Sequence, residues 1–173
     1  AGHLGILAAQ GLAQITVHQR PSVGILTTGT ELLPLGATRQ HPGQIYDSNG
    51  PLIQALLQHH QVADQITLAH AADDLPSLQR SMATLLEKVS VLICVGGVSV
   101  GDHDLVKPAL ANLGVTTDFW RVAMKPGKPF LFGQREAKAI FGLPGNPVSA
   151  YVTAFLLVLP ALRKLAGAAE PQS

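Results

Sequence analysis

One short strand that ends at two glycines constrains the fold of this chain more than any other feature of its sequence. Residues 89–95 are apolar and rich in β-branched side chains, which predicts a buried strand. The pair Gly96-Gly97 ends that strand, and residues 105–113 have the apolar spacing of a short helix. Open α/β folds bind ligands at such turns, because glycines admit a close approach and backbone N–H groups favour an anion. Asp102 and Asp104 add carboxylates that suit a divalent cation.

The rest of the chain alternates predicted strands with predicted helices. Buried strands are expected at residues 22–29, 62–69 and 115–122, and a hairpin at 129–133 and 137–142. Helices are expected at residues 4–15, at 75–88 behind Asp73 and Asp74, at 148–165, and from a cap at Asp47, Ser48 or Asn49 towards His60. The alternation predicts an α/β fold, a three-layer α/β/α sandwich with a mostly parallel sheet and one antiparallel pair late in the chain.

Composition excludes several classes of protein. The 173 residues suit one domain, and a net charge of +1 gives no electrostatic footprint for nucleic acid or for an anionic membrane. Hydrophobic residues make up 47% and charged residues only 13%, which predicts a surface covered by sister subunits or by further parts of a longer polypeptide. The single cysteine, Cys94, excludes an internal disulfide, fits a reducing cytosol and is expected to be an inert core residue.

Neither a membrane nor a secreted location is expected from the sequence. The longest apolar run, residues 150–162, is shorter than a bilayer span and contains Thr153 and Pro160. No positively charged start precedes an apolar core, so we expect no signal peptide and a cytoplasmic protein. Residues 1–167 are expected to form one domain, a fragment of a larger multidomain protein, with 168–173 as a tail or linker.

Hydroxyl groups, a glycine and a carboxylate follow the first predicted strand. The hydroxyls and N–H groups of Thr28, Gly29 and Thr30 suit a phosphate, and Glu31 suits a magnesium ion that bridges to it. In isolation an ordinary capped turn explains this motif better, and for Asp73 a helix cap is favoured over a metal or ribose contact. Because parallel strands end at one edge of a sheet, this turn and the Gly96-Gly97 turn are expected to lie close together.

Two proline-containing motifs later in the chain also suit an anion. Lys125 and Lys128 flank a Pro-Gly turn that would aim both charges at one region, although a solvated turn is the alternative. The motif at residues 143–147, Leu-Pro-Gly-Asn-Pro, opens the last predicted helix, where N–H groups favour an anion or Asn146 acts as a cap. The histidines show no zinc-ligand spacing, and only His103, inside the glycine turn, leaves a minor question open.

Five motifs occur in a fixed order along the chain: Thr-Thr-Gly-Thr-Glu-Leu, Gln-Ile-Tyr-Asp-Ser-Asn, Gly-Gly-Val-Ser-Val-Gly-Asp-His-Asp, Lys-Pro-Gly-Lys-Pro and Leu-Pro-Gly-Asn-Pro-Val-Ser-Ala. Together they closely resemble the central domain of the molybdopterin molybdenumtransferases, the family that includes bacterial MoeA and the E domain of gephyrin. The resemblance extends from about residue 4 to residue 165. It implies molybdenum cofactor synthesis: molybdate enters adenylylated molybdopterin, and AMP is released with help from a divalent cation, expected to be Mg²⁺.

Matching the family motifs assigns roles to individual residues. The resemblance implies catalytic roles for Glu31, Asp73, Asp104 and Lys125, and the three acids are also expected to hold the metal. The residues expected to bind the pterin substrate or its anionic groups are Thr28, Gly29, Thr30, Gly96, Gly97, Ser99, Lys128, Pro144, Gly145, Asn146 and Pro147. Arg121 stands where relatives often have lysine, which keeps the charge and changes the donor geometry.

The resemblance also implies partners and leaves alternatives open. Family members carry further domains and build their active site across a dimer, so a homodimer or homotrimer through this domain is expected, with molybdopterin adenylyltransferase as the pathway partner. An adenylyltransferase, which would consume ATP, and a non-catalytic dimerising scaffold are the alternative functions. An isolated domain of this kind is expected to bind the pterin yet catalyse poorly.

Overall fold

A six-stranded sheet forms the centre of the protein, as seen in a computed structural model that describes residues 2–98 and 104–169. Its strands are β1 (Val23–Thr28), β4 (Ile66–Ala71), β5 (Val91–Val95), β6 (Thr116–Arg121), β7 (Pro129–Arg135) and β8 (Lys138–Leu143), in the order β4-β1-β5-β8-β7-β6. Strands β4, β1, β5 and β8 are parallel to one another, and β7 is antiparallel to both of its neighbours. The predicted late hairpin is therefore confirmed. A separate parallel pair consists of β2 (Leu32–Leu33) and β3 (Ile45–Tyr46).

Helices cover both faces of the sheet. They are α1 (Gly2–Ala9), α2 (Asn49–His59), α3 (Leu75–Lys88), α4 (Val106–Asn112), α5 (Pro147–Thr153) and α6 (Leu159–Leu165), with a π-helical stretch, Ala154–Val158, between the last two. Strand β5 shows how the layers form: Val91, Ile93 and Val95 pack with α2, α5 and α6, whereas Leu92 and Cys94 pack with α3 and α4. This alternation gives the predicted three-layer α/β/α sandwich, with a core on each face.

Capping side chains fix two helix starts that position the site. Asp74 accepts a hydrogen bond from the Ser77 backbone N at 2.8 Å, and α3 has the predicted bounds. At α2 the Ser48 side chain makes no capping bond, and Asp47 accepts one from the Gly50 backbone N at 3.0 Å instead. Of the three predicted caps at α2, Asp47 is thus the one that acts.

Several predicted boundaries were wrong. The helix expected at residues 4–15 ends at Ala9. The strand expected at residues 62–69 lies at Ile66–Ala71, because Val62 is buried in the turn after α2, where Gln61 has a φ of 52°. No strand was predicted directly after Glu31, yet Leu32–Leu33 form β2. The π-helical stretch in the last helix was not predicted either.

The last helix also corrects the expectation that the apolar run was too short to span a bilayer. The continuous helix Pro147–Leu165 has 19 residues and a mean hydropathy of 1.5, so its length and composition alone would permit a crossing. Such a helix is weak evidence for a membrane, because core helices of soluble proteins pass the same test. Ala150, Ala154 and Val158 pack into the core beside the sheet, as expected of a soluble domain.

Candidate functional site

A cleft of about 220 Å³ opens where the parallel strands end. We call it the strand-end cleft. The predicted site residues that line it are Thr28, Glu31, Asp73, Gly96, Gly97, Gly145 and Pro147. They follow four different strands, β1, β4, β5 and β8, so only the fold brings them together. Leu32, Ile45, Tyr46, Ser48 and Asn49 also line the cleft and were not predicted as site residues.

A hydrogen bond between strands orients one carboxylate of the strand-end cleft. The buried hydroxyl of Thr28 donates to Asp73 Oδ1 at 2.7 Å, which ties the end of β1 to the segment after β4. The second carboxylate, that of Glu31, lies over Gly29, where an added Cβ would be 2.8 Å from both of its oxygens. The cleft therefore presents two carboxylates, one held by a neighbouring hydroxyl, to any ligand inside it.

Only glycine fits at position 96, where the end of β5 meets the cleft. Its φ is +93°, and an added Cβ would lie 2.9 Å from the carbonyl oxygen of Thr28. Both the backbone conformation and the close approach exclude a larger residue. The prediction that this turn needs glycine for a close approach is supported by this contact, although the neighbour is the chain itself.

Asn49 is a cleft residue that sequence reasoning considered only as a helix cap. It is 8% exposed, and its Nδ2 donates to the Gly145 carbonyl oxygen at 2.8 Å. Since a carbonyl can only accept, this bond fixes the orientation of the amide and leaves Oδ1 buried without a partner within the described residues. No sequence signal marks such a bond, because Asn49 and Gly145 are 96 positions apart.

The remaining predicted residues lie outside the wall of the strand-end cleft. Asp104 accepts a hydrogen bond from the Lys107 backbone N at 3.4 Å at the start of α4, and burial raises the pKa of its carboxyl. Asn146 caps α5 by accepting from the Ser149 backbone N at 3.1 Å, the simple role weighed for it above. Gly29, Thr30 and Pro144 adjoin the cleft in sequence without lining it. Ser99, Asp102 and His103 fall outside the described residues.

The three acids predicted to hold a metal do not form one cluster. Across residues 2–98 and 104–169, no three His, Cys, Asp or Glu side chains lie close enough together to hold a metal ion. Glu31 and Asp73 share the strand-end cleft, and Asp104 does not line it. The pair still fits a magnesium site of the kind completed by substrate phosphates, since that ion commonly takes only one or two protein carboxylates.

Four cationic side chains lie on α4, at the end of β6 and in the loop that follows β6. Lys107 Nζ lies 3.6 Å from the centre of the Trp120 ring, and the Arg121 guanidinium carbon lies 4.7 Å from it. Lys125 and Lys128 are exposed in the loop that follows, where the Val122 backbone N donates to the Lys128 carbonyl oxygen at 3.1 Å. We call Lys107, Arg121, Lys125 and Lys128 the cation group.

Comparison with known proteins places this geometry in a family. The family model described as "Probable molybdopterin binding domain" matches residues 24–164. That range includes all six strands of the central sheet apart from Val23, the first residue of β1. The chain belongs to the molybdopterin-binding domain family. The strand-end cleft and the cation group both lie within the part of the chain that matches the family.

Named relatives of this molybdopterin-binding domain are longer than the chain. It is 40% identical over 166 residues to the molybdopterin molybdenumtransferase of Haemophilus influenzae, covering 95% of this chain and 40% of that protein. It is 43% identical over 151 residues to the molybdenum cofactor synthesis protein cinnamon of Drosophila melanogaster, covering 87% of this chain and 25% of that protein. The crystal structure of the molybdopterin biosynthesis MoeA protein from Pyrococcus horikoshii matches with a TM-score of 0.80 and 31% identity, covering 96% of this chain and 40% of that one. The chain thus spans two fifths or less of the length of these proteins.

Proposed function

We propose that this domain serves molybdenum cofactor biosynthesis by binding adenylylated molybdopterin at the edge of its sheet, where molybdate replaces the adenylyl group and AMP is released. The observation that carries the proposal is the strand-end cleft, where Thr28, Glu31 and Asp73 meet the Gly96 turn and the loop at Gly145. The names of the longer relatives, molybdopterin molybdenumtransferase and molybdenum cofactor synthesis protein, favour this reaction over adenylyl transfer.

The two carboxylates of the cleft would hold the divalent cation. When bound, Mg²⁺ would neutralise charge on the pyrophosphate of the substrate. The hydroxyl of Thr28 orients Asp73 by donating to Oδ1, which leaves Oδ2 for the ion, and Glu31 supplies a second oxygen ligand. Asp104 was predicted as a third ligand, and that assignment stays a prediction because its carboxyl lies off the cleft wall.

The cation group would bind the anionic parts of the substrates. Molybdate is a dianion, and Lys125 and Lys128 are exposed donors that no described carboxylate pairs with. Arg121, beside them in the chain, adds a planar guanidinium that can bind an oxyanion through two parallel hydrogen bonds. In this assignment Lys125 acts on molybdate, while the acids of the cleft act on the pyrophosphate.

The proposal is tested by release of AMP from adenylylated molybdopterin in the presence of molybdate and Mg²⁺. Because the relatives are longer, the assay is run on this chain and on the Haemophilus influenzae protein with its matching region replaced by residues 24–164. We expect Asp73→Asn and Asp104→Ala to lower AMP release about 100-fold while substrate binding changes only a few-fold. Asp64→Asn, an exposed acid outside the cleft, is the matched control. Normal turnover by both site variants would refute the assigned roles.

A homodimer or homotrimer, a pathway partnership with molybdopterin adenylyltransferase and a cytoplasmic location stay predictions. Consumption of ATP in the same assay would favour the adenylyltransferase alternative. Release of AMP without ATP would favour the molybdate-inserting enzyme. A domain that binds the substrate and supports neither reaction in either protein would favour the scaffold alternative.

A further inference from the structure

We propose that a second cavity, behind β2 and β3, binds the pterin ring of the substrate through the amino edge of that ring. The cavity lies at the β4 edge of the sheet, has a volume of about 350 Å³, and is called here the edge cavity. The inference rests on the proposed function, because it names the part of that substrate which the edge cavity accepts.

The edge cavity adjoins the strand-end cleft, and the same three segments of the chain contribute residues to both. In the segment after β1, Leu32 lines the cleft and Leu33 lines the edge cavity. In the segment before α2, Ser48 lines the cleft and Asp47 lines the edge cavity. His70, within β4, lines the edge cavity, and Asp73, two residues after that strand, lines the cleft. The two compartments thus share three segments of the chain, and one elongated ligand could occupy both.

The strand-end cleft is small for the whole of the proposed substrate. Drug-sized ligands occupy pockets of roughly 300–1,000 Å³, and adenylylated molybdopterin is larger than most drugs. The cleft offers only about 220 Å³. Its carboxylates and N–H groups suit the phosphates and their cation rather than an aromatic ring. The ring therefore needs a separate, more apolar surface.

The walls of the edge cavity suit a flat ring. They are mainly aliphatic or proline surface, from Leu33, Pro34, Leu35, Pro51 and Leu68. Such surface packs against the faces of a heteroaromatic ring, and burying it supplies affinity without specificity. Specificity must come from the two polar residues of the wall, Asp47 and His70.

A hydrogen-bond chain determines what Asp47 and His70 can offer a ligand. The hydroxyl of Thr27, which is 2% exposed, donates its single proton to Asp47 Oδ2 at 2.8 Å. The His70 Nδ1 lies 3.4 Å from the same hydroxyl oxygen, and with the hydroxyl proton directed at Asp47 we assign Nδ1–H as the donor in that contact. In that tautomer the imidazole has its lone pair on Nε2, and the Asp47 oxygens retain further acceptor capacity. With this assignment both polar groups of the wall can accept hydrogen bonds from a ligand.

A wall of acceptors selects a ligand that brings adjacent donors. The pyrimidinone ring of a pterin carries a 2-amino group beside the N3–H, which are two donors on one edge. Adenine, the other heterocycle of the proposed substrate, has its 6-amino group beside the acceptor N1, so one of its contacts would be acceptor against acceptor. Mismatched polar contacts of this kind are strongly disfavoured. The edge cavity therefore suits the pterin ring better than the adenine ring.

The test is the binding of free pterin to this chain, followed by the fluorescence of the pterin. Lumazine, which has an oxo group in place of the 2-amino group of pterin, is the control ligand. AMP is added as a competitor. We expect saturable pterin binding, lumazine binding weaker by about tenfold, and no displacement of pterin by AMP. Absence of saturable pterin binding, equal binding of lumazine, or displacement by AMP would each overturn the inference.

Two leucine variants locate the bound ring. Leu68 is 42% exposed at the edge cavity, so Leu68→Lys should place a charge there without disturbing the core. Leu156, 51% exposed on the last helix and outside both compartments, gives the control Leu156→Lys. We expect Leu68→Lys to weaken pterin binding about tenfold and Leu156→Lys to change it less than twofold.

The results separate this inference from the proposed function. If Asp73→Asn abolishes pterin binding and Leu68→Lys does not, the ring lies in the strand-end cleft and the inference fails. AMP release that proceeds without pterin binding to the edge cavity would leave the proposed function standing. Pterin binding that Leu68→Lys weakens, in a chain whose chimaera releases no AMP, would support the edge cavity and refute the proposed reaction.

Discussion

The edge of the sheet where the parallel strands end has two chemically different halves. On the side of β1 and β4, the strand-end cleft carries the carboxylates of Glu31 and Asp73 and the hydroxyl of Thr28. On the side of β6, Lys107 and Arg121 of the cation group contact the Trp120 ring, and Lys125 and Lys128 are exposed in the loop that follows. One half suits a metal ion and the other suits an anion. The glycine turn after β5, which contains Gly96, lies between the two halves.

The largest effect is expected where the halves meet, at Gly96. A methyl group there would lie 2.9 Å from the Thr28 carbonyl oxygen, at a φ of +93°. We expect Gly96→Ala to lower the free energy of unfolding by about 3 kcal/mol, and to disrupt the cleft through the end of β1. Urea unfolding and pterin binding measure the two consequences.

Gly114 supplies the matched control for that substitution. Its φ is +75°, and an added Cβ would meet nothing within 4 Å. Gly114→Ala therefore pays only the conformational penalty, about 1 kcal/mol, and should leave ligand binding unchanged. Equal losses of stability in the two variants would show that the contact with Thr28 is unimportant, and that the halves are not coupled through this turn.

The next effect tests whether the anion belongs to the cation group. Trp120, the single tryptophan, contacts two cations of that group, so its fluorescence should report an oxyanion bound there. We expect molybdate to change the fluorescence saturably, and Lys125→Ala to weaken that binding about tenfold, because one compact charge is lost. Lys164→Ala, on α6, is the control. If Asp73→Asn weakened molybdate binding more than Lys125→Ala did, the anion would lie in the strand-end cleft, and the two halves would not have separate ligands.

The sequence predicted the frame of this edge well. The strands predicted at residues 22–29 and 89–95 both lead into glycine turns, and the rule that parallel strands end together predicted that these turns would lie close together, as Thr28 and Gly96 do. Composition could not predict β2 and β3, which are two residues each and lie in a segment rich in proline and glycine. These short strands depend on pairing with each other, and no local periodicity records a pair so small.

The sequence was less informative about which residues share a compartment. A family motif assigns Asp104 and Asp73 together, yet only Asp73 lines the cleft, because Asp104 turns to the start of α4. The edge cavity was invisible in sequence for a related reason. Asp47 and His70 belong to different elements, and Thr27 joins them through contacts that span 20 and 43 positions. Composition and spacing describe the elements, whereas tertiary hydrogen bonds decide the compartments.

The smallest effect is expected at Asn49, whose side chain links two segments of the cleft wall. Its Nδ2 bond to the Gly145 carbonyl oxygen, at 2.8 Å, fixes the start of α2 to the loop that opens α5. Asn49→Ala removes this bond together with the unpartnered Oδ1, so the loss of one and the relief of the other partly cancel. We expect the free energy of unfolding to fall by about 1 kcal/mol. Binding in the strand-end cleft should weaken more than binding in the edge cavity. Ser48→Ala, at the preceding residue whose side chain makes no capping bond, should change stability by less than about 0.5 kcal/mol. If Ser48→Ala proved as costly as Asn49→Ala, the wall would be held by the backbone of this segment, and the Asn49 amide would not be what positions the Gly145 loop.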